Sequence, residues 1–430
     1  MMKLNRRRTL RVLIVVLFFV SGFFSVRYFH RPRIRLGEHY LFVNYRAKVN
    51  PKKNYHLQLW DYRWPGVDGD QWYEPFITEL VKEFEKANPN IRVELSLLDF
   101  YDGPLEFSKA LASGSVPDVY CSAYDIPEFN YRWQIPAGIF LKPEELNEYY
   151  PSLRKRLTSE NYLLTLPRWS VPLIWVGNRT LLEKAGLSVE GIQKQGWVWG
   201  DYTKIKERAE YSCIGNLSAN GLLTQIVSQK PSLSPSLILK TLDIFNGPLP
   251  WKSDLEANMI HLFLSGKLPL IAGVRPTVYD FLRQKAAASH LGWEPVLLPP
   301  PSEQSRRIIL PVENGVIGIY RHHKSGGDDQ LAAAARLAFF LSVNRQTHPW
   351  QRLKVVPATP TTAKQWAQNL EPNDGNRLLV DWLAEADVYS LRRSPDYQGK
   401  VYPGLKNYLM GRVSRDELEK IIVQNYFGRK

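Results

Sequence analysis

The sequence predicts an α/β protein built from two or three lobes, on three observations. The chain has 430 residues, more than a single core holds when domains run to about 100–200 residues. Its composition, 44% hydrophobic and 23% charged, is that of a globular protein. From His56 onward, stretches that alternate apolar and polar residues take turns with stretches of helical period, as in a mainly parallel sheet.

The net charge of +14 is unevenly placed. Residues 1–55 hold 13 Lys and Arg against the single acid Glu38, while the rest carries 43 basic and 41 acidic side chains. A phosphate-binding groove needs charge clustered within a folded domain, so this distribution argues against a nucleic-acid partner. Residues 1–11 are basic (Lys3, Arg6, Arg7, Arg8 and Arg11), and Val12–Val26 is an uncharged apolar run between Arg11 and Arg27. That run has the layout of a secretory leader and would span about 22 Å as a helix. Phe23, Phe24, Tyr28 and Phe29 occupy the place where small residues permit cleavage, and the only cysteines, Cys121 and Cys213, are too distant to take a lipid. The expectation is an uncleaved transmembrane anchor over 12–26, with Arg11 and Arg27 snorkelling. Five basic residues precede the run and eight follow it before Tyr55, so charge counting does not fix its orientation. Residues 27–54, basic and interrupted by Pro32 and Pro51, read as a stalk.

The body begins with a strand over His56–Asp61. A helix follows with Phe76, Ile77, Leu80, Val81 and Phe84 on one face, stopped by Asn88-Pro89-Asn90. A strand over Ile91–Leu97, a short helix around Leu105–Ala112 and a strand over Asp118–Ala123 complete the first run. Strands are then predicted at Tyr162–Leu166, Pro172–Val176, Leu268–Ala272, Glu294–Leu298 and Gly315–Tyr320. Helices are predicted at Arg179–Ala185, Tyr202–Ala209 and Asp254–Leu264, and on the Leu331, Ala334, Ala335, Ala338, Leu341 face. Ser414 and Glu417 form a capping box that opens the last helix. Two cysteines make no disulfide framework and read as core thiols.

Six segments together resemble the extracellular solute-binding proteins of carbohydrate ABC importers, the family of maltose-binding protein, over about residues 56–425. They are Phe84–Ile91 (FEKANPNI), Ala112–Val119 (ASGSVPDV), Asn178–Leu187 (NRTLLEKAGL), Phe263–Lys267 (FLSGK), Leu297-Leu298-Pro299, and Gly315–Ile319 ahead of the alanine-rich helix. The resemblance implies the two-lobed periplasmic-binding-protein (Venus-flytrap) fold with discontinuous lobes. Lobe one would take 55–165 and 315–358, and lobe two 166–314 and 359–430. A chain that crosses between lobes more than once lets them close as rigid bodies on a solute.

Ligands of open α/β sheets sit beyond the carboxyl ends of strands. The residues there are Asp61, Tyr62, Arg63 and Trp64 after the first strand, Tyr124 and Asp125 after the third, and Pro167-Arg168-Trp169-Ser170 at the crossing. An aromatic face stacks on the C–H face of a pyranose, and a nearby carboxylate or guanidinium orients its hydroxyls. The surplus of 13 Trp and 22 Tyr suits such a cleft. Other readings stay open. Trp64, Trp169 and Tyr124 border both cleft and core, and Asp61 or Asp125 can cap a turn instead. Trp60 and Trp175 read as core, and Trp197 and Trp199 as supports for the helix near Asp201. Where the family often continues its strand with Gly-Pro-Trp, this chain has Gly273-Val274-Arg275-Pro276, so Arg275 offers a guanidinium in place of an aromatic; it either grips a polar group or pairs with a surface acid.

No catalytic pair, nucleophile elbow, Walker loop or dinucleotide fingerprint is present, and the eight histidines have no metal-ligand spacing. The resemblance thus implies a binder without catalytic residues, metal or cofactor, located outside the cytoplasm. Its partners would be a small polar solute such as a carbohydrate, and ABC permease subunits. The alternative is a membrane-anchored sensor or scaffold built on the same fold.

Overall fold

The computed structural model describes residues 32–64, 72–123, 129–208, 214–215, 239, 255–302, 307–323, 326–390, 400–409 and 411–427. Two sheets organise them. The larger, of eight strands, runs in the order Val356–Pro357, Leu166–Pro172, Ile309–Tyr320, Val119–Ser122, Tyr55–Tyr62, Ile91–Leu98, with Gln134–Ile135 and Asp387–Ser390 also paired to Ile309–Tyr320. The smaller, of four strands, runs Ile214–Gly215, Leu270–Val274, Ile174–Asn178, Pro295–Leu298.

The parallel run at the start of the body forms as its periodicity predicts. Tyr55–Tyr62 pairs in parallel with Ile91–Leu98, and on its other side Leu59 and Trp60 pair in parallel with Val119 and Tyr120. The helix between the first two, Tyr73–Ala87, buries Ile77, Leu80, Val81 and Phe84 and stops at Asn88, where Pro89 cannot continue it. In the helix Asp328–Ser342, Ala333, Ala334, Ala335 and Ala338 are fully buried, and these small side chains let it lie against the larger sheet. Ser414 caps the helix Arg415–Ile422, its Oγ accepting the Glu417 N–H at 3.2 Å.

The chain passes between sheets at Leu173, which separates Leu166–Pro172 of the larger sheet from Ile174–Asn178 of the smaller. It returns between Leu298 and Ile309, and crosses again after Asp387–Ser390 to the helices Tyr402–Leu409 and Arg415–Ile422, whose Leu405, Leu418 and Ile422 pack with Trp175 and Leu298 of the smaller sheet. The first sheet boundary therefore falls seven residues past the expected lobe boundary at 165/166. Strands were expected at Tyr162–Leu166 and Pro172–Val176, whereas one strand runs from Leu166 to Pro172 and accommodates both prolines: Pro172 ends it, and Pro167 faces Val316 just past a bulge in the ladder. The opposite face of the smaller sheet, with Ile174, Val176, Ile271 and Leu297, joins the larger apolar cluster together with Tyr279, Trp366 and Leu379.

Residues 33–54 are not the extended stalk their charge suggests. Arg33–Leu36 and His39–Phe42 form an antiparallel hairpin that buries Ile34, Leu36 and Leu41. Arg321 donates to the Phe42 carbonyl at 2.9 Å, the Asn44 N–H reaches Asp328 at 2.9 Å, and Lys53 pairs with Asp329 at 2.7 Å, so the segment is fastened to the larger half. The signal was a period-2 alternation of Ile34, Leu36, Leu41 and Val43 hidden among cations. Among the described residues no helix is long and apolar enough to cross a membrane, and Val12–Val26 lies outside them.

Gly315 marks the tightest approach in the sheet: a Cβ there would stand 2.1 Å from Cε2 of Trp169. Gly315→Ala must displace the indole, and urea denaturation is expected to show a loss of about 1–3 kcal/mol, as for other overpacked cores.

Candidate ligand-binding site

The carboxyl ends of the larger sheet's parallel strands carry a graded run of aromatic rings. Trp169, buried on the crossing strand, meets Trp64 edge to face at 5.4 Å. Trp64 meets Phe100 at 5.3 Å, and Phe100 meets Tyr101 edge to face at 5.5 Å. Burial decreases along the run, from Trp169 and Trp64 through half-buried Phe100 to Tyr101, which is 78% exposed. The Asp99 carboxylate accepts the N–H groups of Asp102 at 2.9 Å and Tyr101 at 2.7 Å, fixing the turn that presents the Tyr101 ring. Those two bonds lower the Asp99 pKa below its ordinary value. Trp64 Nε1 is buried and has no acceptor among the described residues. An unpaired buried N–H costs about 1–3 kcal/mol, so this indole is suited to a hydroxyl acceptor.

Beneath the rings lies a buried polar cluster. Asp61 and Arg168, with side chains 1% and 2% exposed, form an ion pair at 2.8 Å. The Tyr73 hydroxyl donates to the same Asp61 oxygen at 2.7 Å and accepts from Arg168 Nη2 at 2.8 Å. The other Asp61 oxygen takes the Tyr62 N–H at 2.8 Å, and the Arg168 guanidinium lies 5.5 Å from the centroid of the Trp350 ring. Burial pushes the Tyr73 hydroxyl well up, so it stays a donor. Burial also raises the Cys121 thiol, with Asp61's charge adding to the effect, so that thiol is not a nucleophile.

The smaller sheet faces this end of the larger one. Arg275, directly after the strand Leu270–Val274, donates to Glu313 at 2.5 Å; Glu313 is 4% exposed and sits in the central strand Ile309–Tyr320 of the larger sheet. Next to it, Ser170 donates to Asn314 at 2.7 Å. The two sheets are thus joined by an ion pair where the chain crosses between them.

The chain has the fold of the bacterial extracellular solute-binding proteins. A putative oligosaccharide periplasmic-binding protein from Synechococcus sp. MITs9220 superposes with a TM-score of 0.64 at 18% identity, covering 86% of this chain and 97% of that one. The sugar-binding protein MalE of Xanthomonas citri gives 0.62 at 16% identity, over 87% and 100%. An ABC substrate-binding protein of Listeria monocytogenes in complex with cycloalternan gives 0.58 at 16%, over 88% and 100%. The family model described as bacterial extracellular solute-binding protein matches residues 68–222, a little over a third of the chain. The chain has no sequence match among curated proteins.

In this solute-binding fold the residues expected at the site divide into groups. Trp64, Trp169, Asp61 and Tyr62 come together, but Asp61 is saturated by protein donors and the Tyr62 hydroxyl bonds to that of Tyr120. Arg275 joins Glu313 instead of standing free. Tyr124 and Asp125 lie outside the described residues. Trp175 is core, edge to face with Trp197 and Trp199, and Trp197 Nε1 donates to the Pro299 carbonyl at 2.7 Å. Phe100, Tyr101, Tyr73 and Trp350 were not foreseen. Applying the strand-end rule to Ile91–Leu98 as well would have found the first two.

Arg168→Met leaves Asp61 buried without its cation. A loss of about 3–5 kcal/mol in urea denaturation is expected, with most of it recovered in the Asp61→Leu, Arg168→Met double variant.

Proposed function

We propose that this chain is the extracytoplasmic substrate-binding component of an ABC importer, and that it holds a sugar, oligosaccharide or related polar solute between its two sheets without altering it. The observation that carries the reading is the aromatic run from Trp169 to Tyr101 at the carboxyl ends of the parallel strands, the end at which Arg275 pairs with Glu313. A pyranose presents an apolar C–H face to such rings and its hydroxyls to polar groups at the rim. The oligosaccharide, sugar and cycloalternan named for the similar structures support this solute class. Trp64 and Tyr101 are the proposed stacking surfaces, and Trp169 and Tyr62 support them from below. Asp61 acts by positioning Arg168 and Tyr73. Tyr124 and Asp125 remain proposed contacts from the third strand's end.

Arg275 has a proposed part in the closing motion. Its pairing with Glu313 spans the two sheets, so a solute hydroxyl or anion that draws the guanidinium away would trade one inter-sheet contact for another. The apolar run Val12–Val26 is proposed to hold the protein at the membrane beside permease subunits.

Titration calorimetry against linear and cyclic gluco-oligosaccharides, other oligosaccharides and polyols is expected to find at least one that binds, and a screen without any binder overturns the reading. Tyr101→Ala is expected to weaken that binding by up to about tenfold, the equivalent of one stacking contact, while leaving the urea midpoint unchanged because the ring is exposed. Arg275→Ala is expected to enlarge the radius of gyration of the unliganded protein in small-angle X-ray scattering.

A further inference from the structure

The hairpin of residues 33–42 has an outer face that the solute-binding function leaves unused. Its register places Arg33 opposite Phe42 and Arg35 opposite Tyr40, so these four side chains share one face while Ile34 and Leu41 fill the other. Tyr40 is 50% exposed, Phe42 38% and the following Tyr45 41%, so three of the exposed large apolar side chains lie within six residues of sequence. Cations lie against two of the rings: the Arg33 guanidinium is 5.0 Å from the Tyr40 centroid, and that of Arg46 is 5.7 Å from Tyr45. From Arg33 to Lys53 the sequence has six Lys and Arg against Glu38 alone.

Exposed aromatic rings interleaved with basic groups match the boundary layer of an anionic bilayer, where rings sit at headgroup depth and cations meet lipid phosphates. The position in the chain points the same way. Six peptide steps separate Val26, the end of the apolar run, from Pro32, so the hairpin cannot stand more than about 20 Å from where that run ends. We propose that the outer face of this hairpin, carrying Arg33, Arg35, Tyr40, Phe42, Tyr45 and Arg46, is a docking surface for an anionic lipid bilayer. It would seat the larger half on the membrane and leave the smaller half free to move. The proposal rests on the anchored reading of Val12–Val26. The hairpin is fastened to the larger half through Arg321, Asp328, Lys53 and Asp329, so docking it fixes that half's orientation as well as its height.

The test uses the full chain with Cys213→Ser, carrying a nitroxide label at Tyr40→Cys or, as a control, at exposed Lys364→Cys, with a thermal scan to verify folding. Each is mixed with vesicles of phosphatidylcholine or of an equal mixture with phosphatidylglycerol, floated through a density gradient, and read for label access to oxygen and to a water-soluble nickel chelate. On the anionic vesicles, nickel access at position 40 is expected to fall severalfold relative to position 364, with oxygen access rising. Arg33→Glu with Arg35→Glu is expected to reverse this, and so is high salt with both arginines in place, a second readout independent of how the charge-reversed variant folds. A chain that floats while position 40 stays as open to nickel as position 364, or is shielded equally on neutral vesicles, overturns the docking surface and spares the anchor. A chain that floats with neither lipid overturns both.

Discussion

The ion pair between Asp61 and Arg168 is the constraint on which the rest of the molecule depends. Asp61 ends the first strand of the larger sheet, Arg168 lies on the strand that leads into the smaller one, and Tyr73, which bonds to both, opens the first long helix. A strand and the helix that follows it are thereby set in one geometry with a strand whose Arg168 lies 107 residues from Asp61. Burying two charges costs several kcal/mol per ion before their attraction is counted, so a pair like this adds little net stability over a well-packed apolar substitute. It contributes position. The indole of Trp169, one residue beyond Arg168, inherits its place from that cluster and from the missing side chain at Gly315.

From that base the aromatic run reads as one device. At its buried end Trp169 packs edge to face on Trp64, which packs at a tilt on Phe100, and aromatic pairs contribute about 0.5–1.5 kcal/mol beyond their burial. Its exposed end is held by backbone geometry at Asp99. In the proposed role, a surface prepared in this way would lose little conformational freedom when a ligand arrives, which favours affinity without many contacts. Where the two sheets meet, Arg275 and Glu313 pair directly and add polarity beside the rings.

Much of the fold was legible in the sequence because its signals are local. The period-3.6 face of Tyr73–Ala87, the Pro89 stop and the Ser414 cap each fix an element through neighbours a few residues away. The strand Leu166–Pro172 was harder to read, since two prolines argue against a strand and only its long-range partner Ile309–Tyr320 makes it one. The amino-terminal hairpin was hidden by charge: its inward Ile34, Leu36 and Leu41 lie within a segment, residues 27–54, that holds eight Lys and Arg. At the candidate site, the rule that ligands gather at strand ends pointed to Trp64 and Trp169, whose rings the fold brings into contact. It could not show that Asp61 is consumed by Arg168 and Tyr73, because that depends on a fold-level juxtaposition more than a hundred residues apart.

The strand order also governs how the protein comes into being. The strand Ile309–Tyr320, to which four others pair, is made after three of them, Val119–Ser122, Gln134–Ile135 and Leu166–Pro172, have left the ribosome. Until it arrives, the two strands it joins present open edges, which invite pairing with other chains. Because the sheet is closed by contacts of long sequence separation, its assembly is slow by topology alone, and nascent chains spend that interval exposed to aggregation. The sheet is therefore completed only when one late segment arrives, whatever the strength of any single contact.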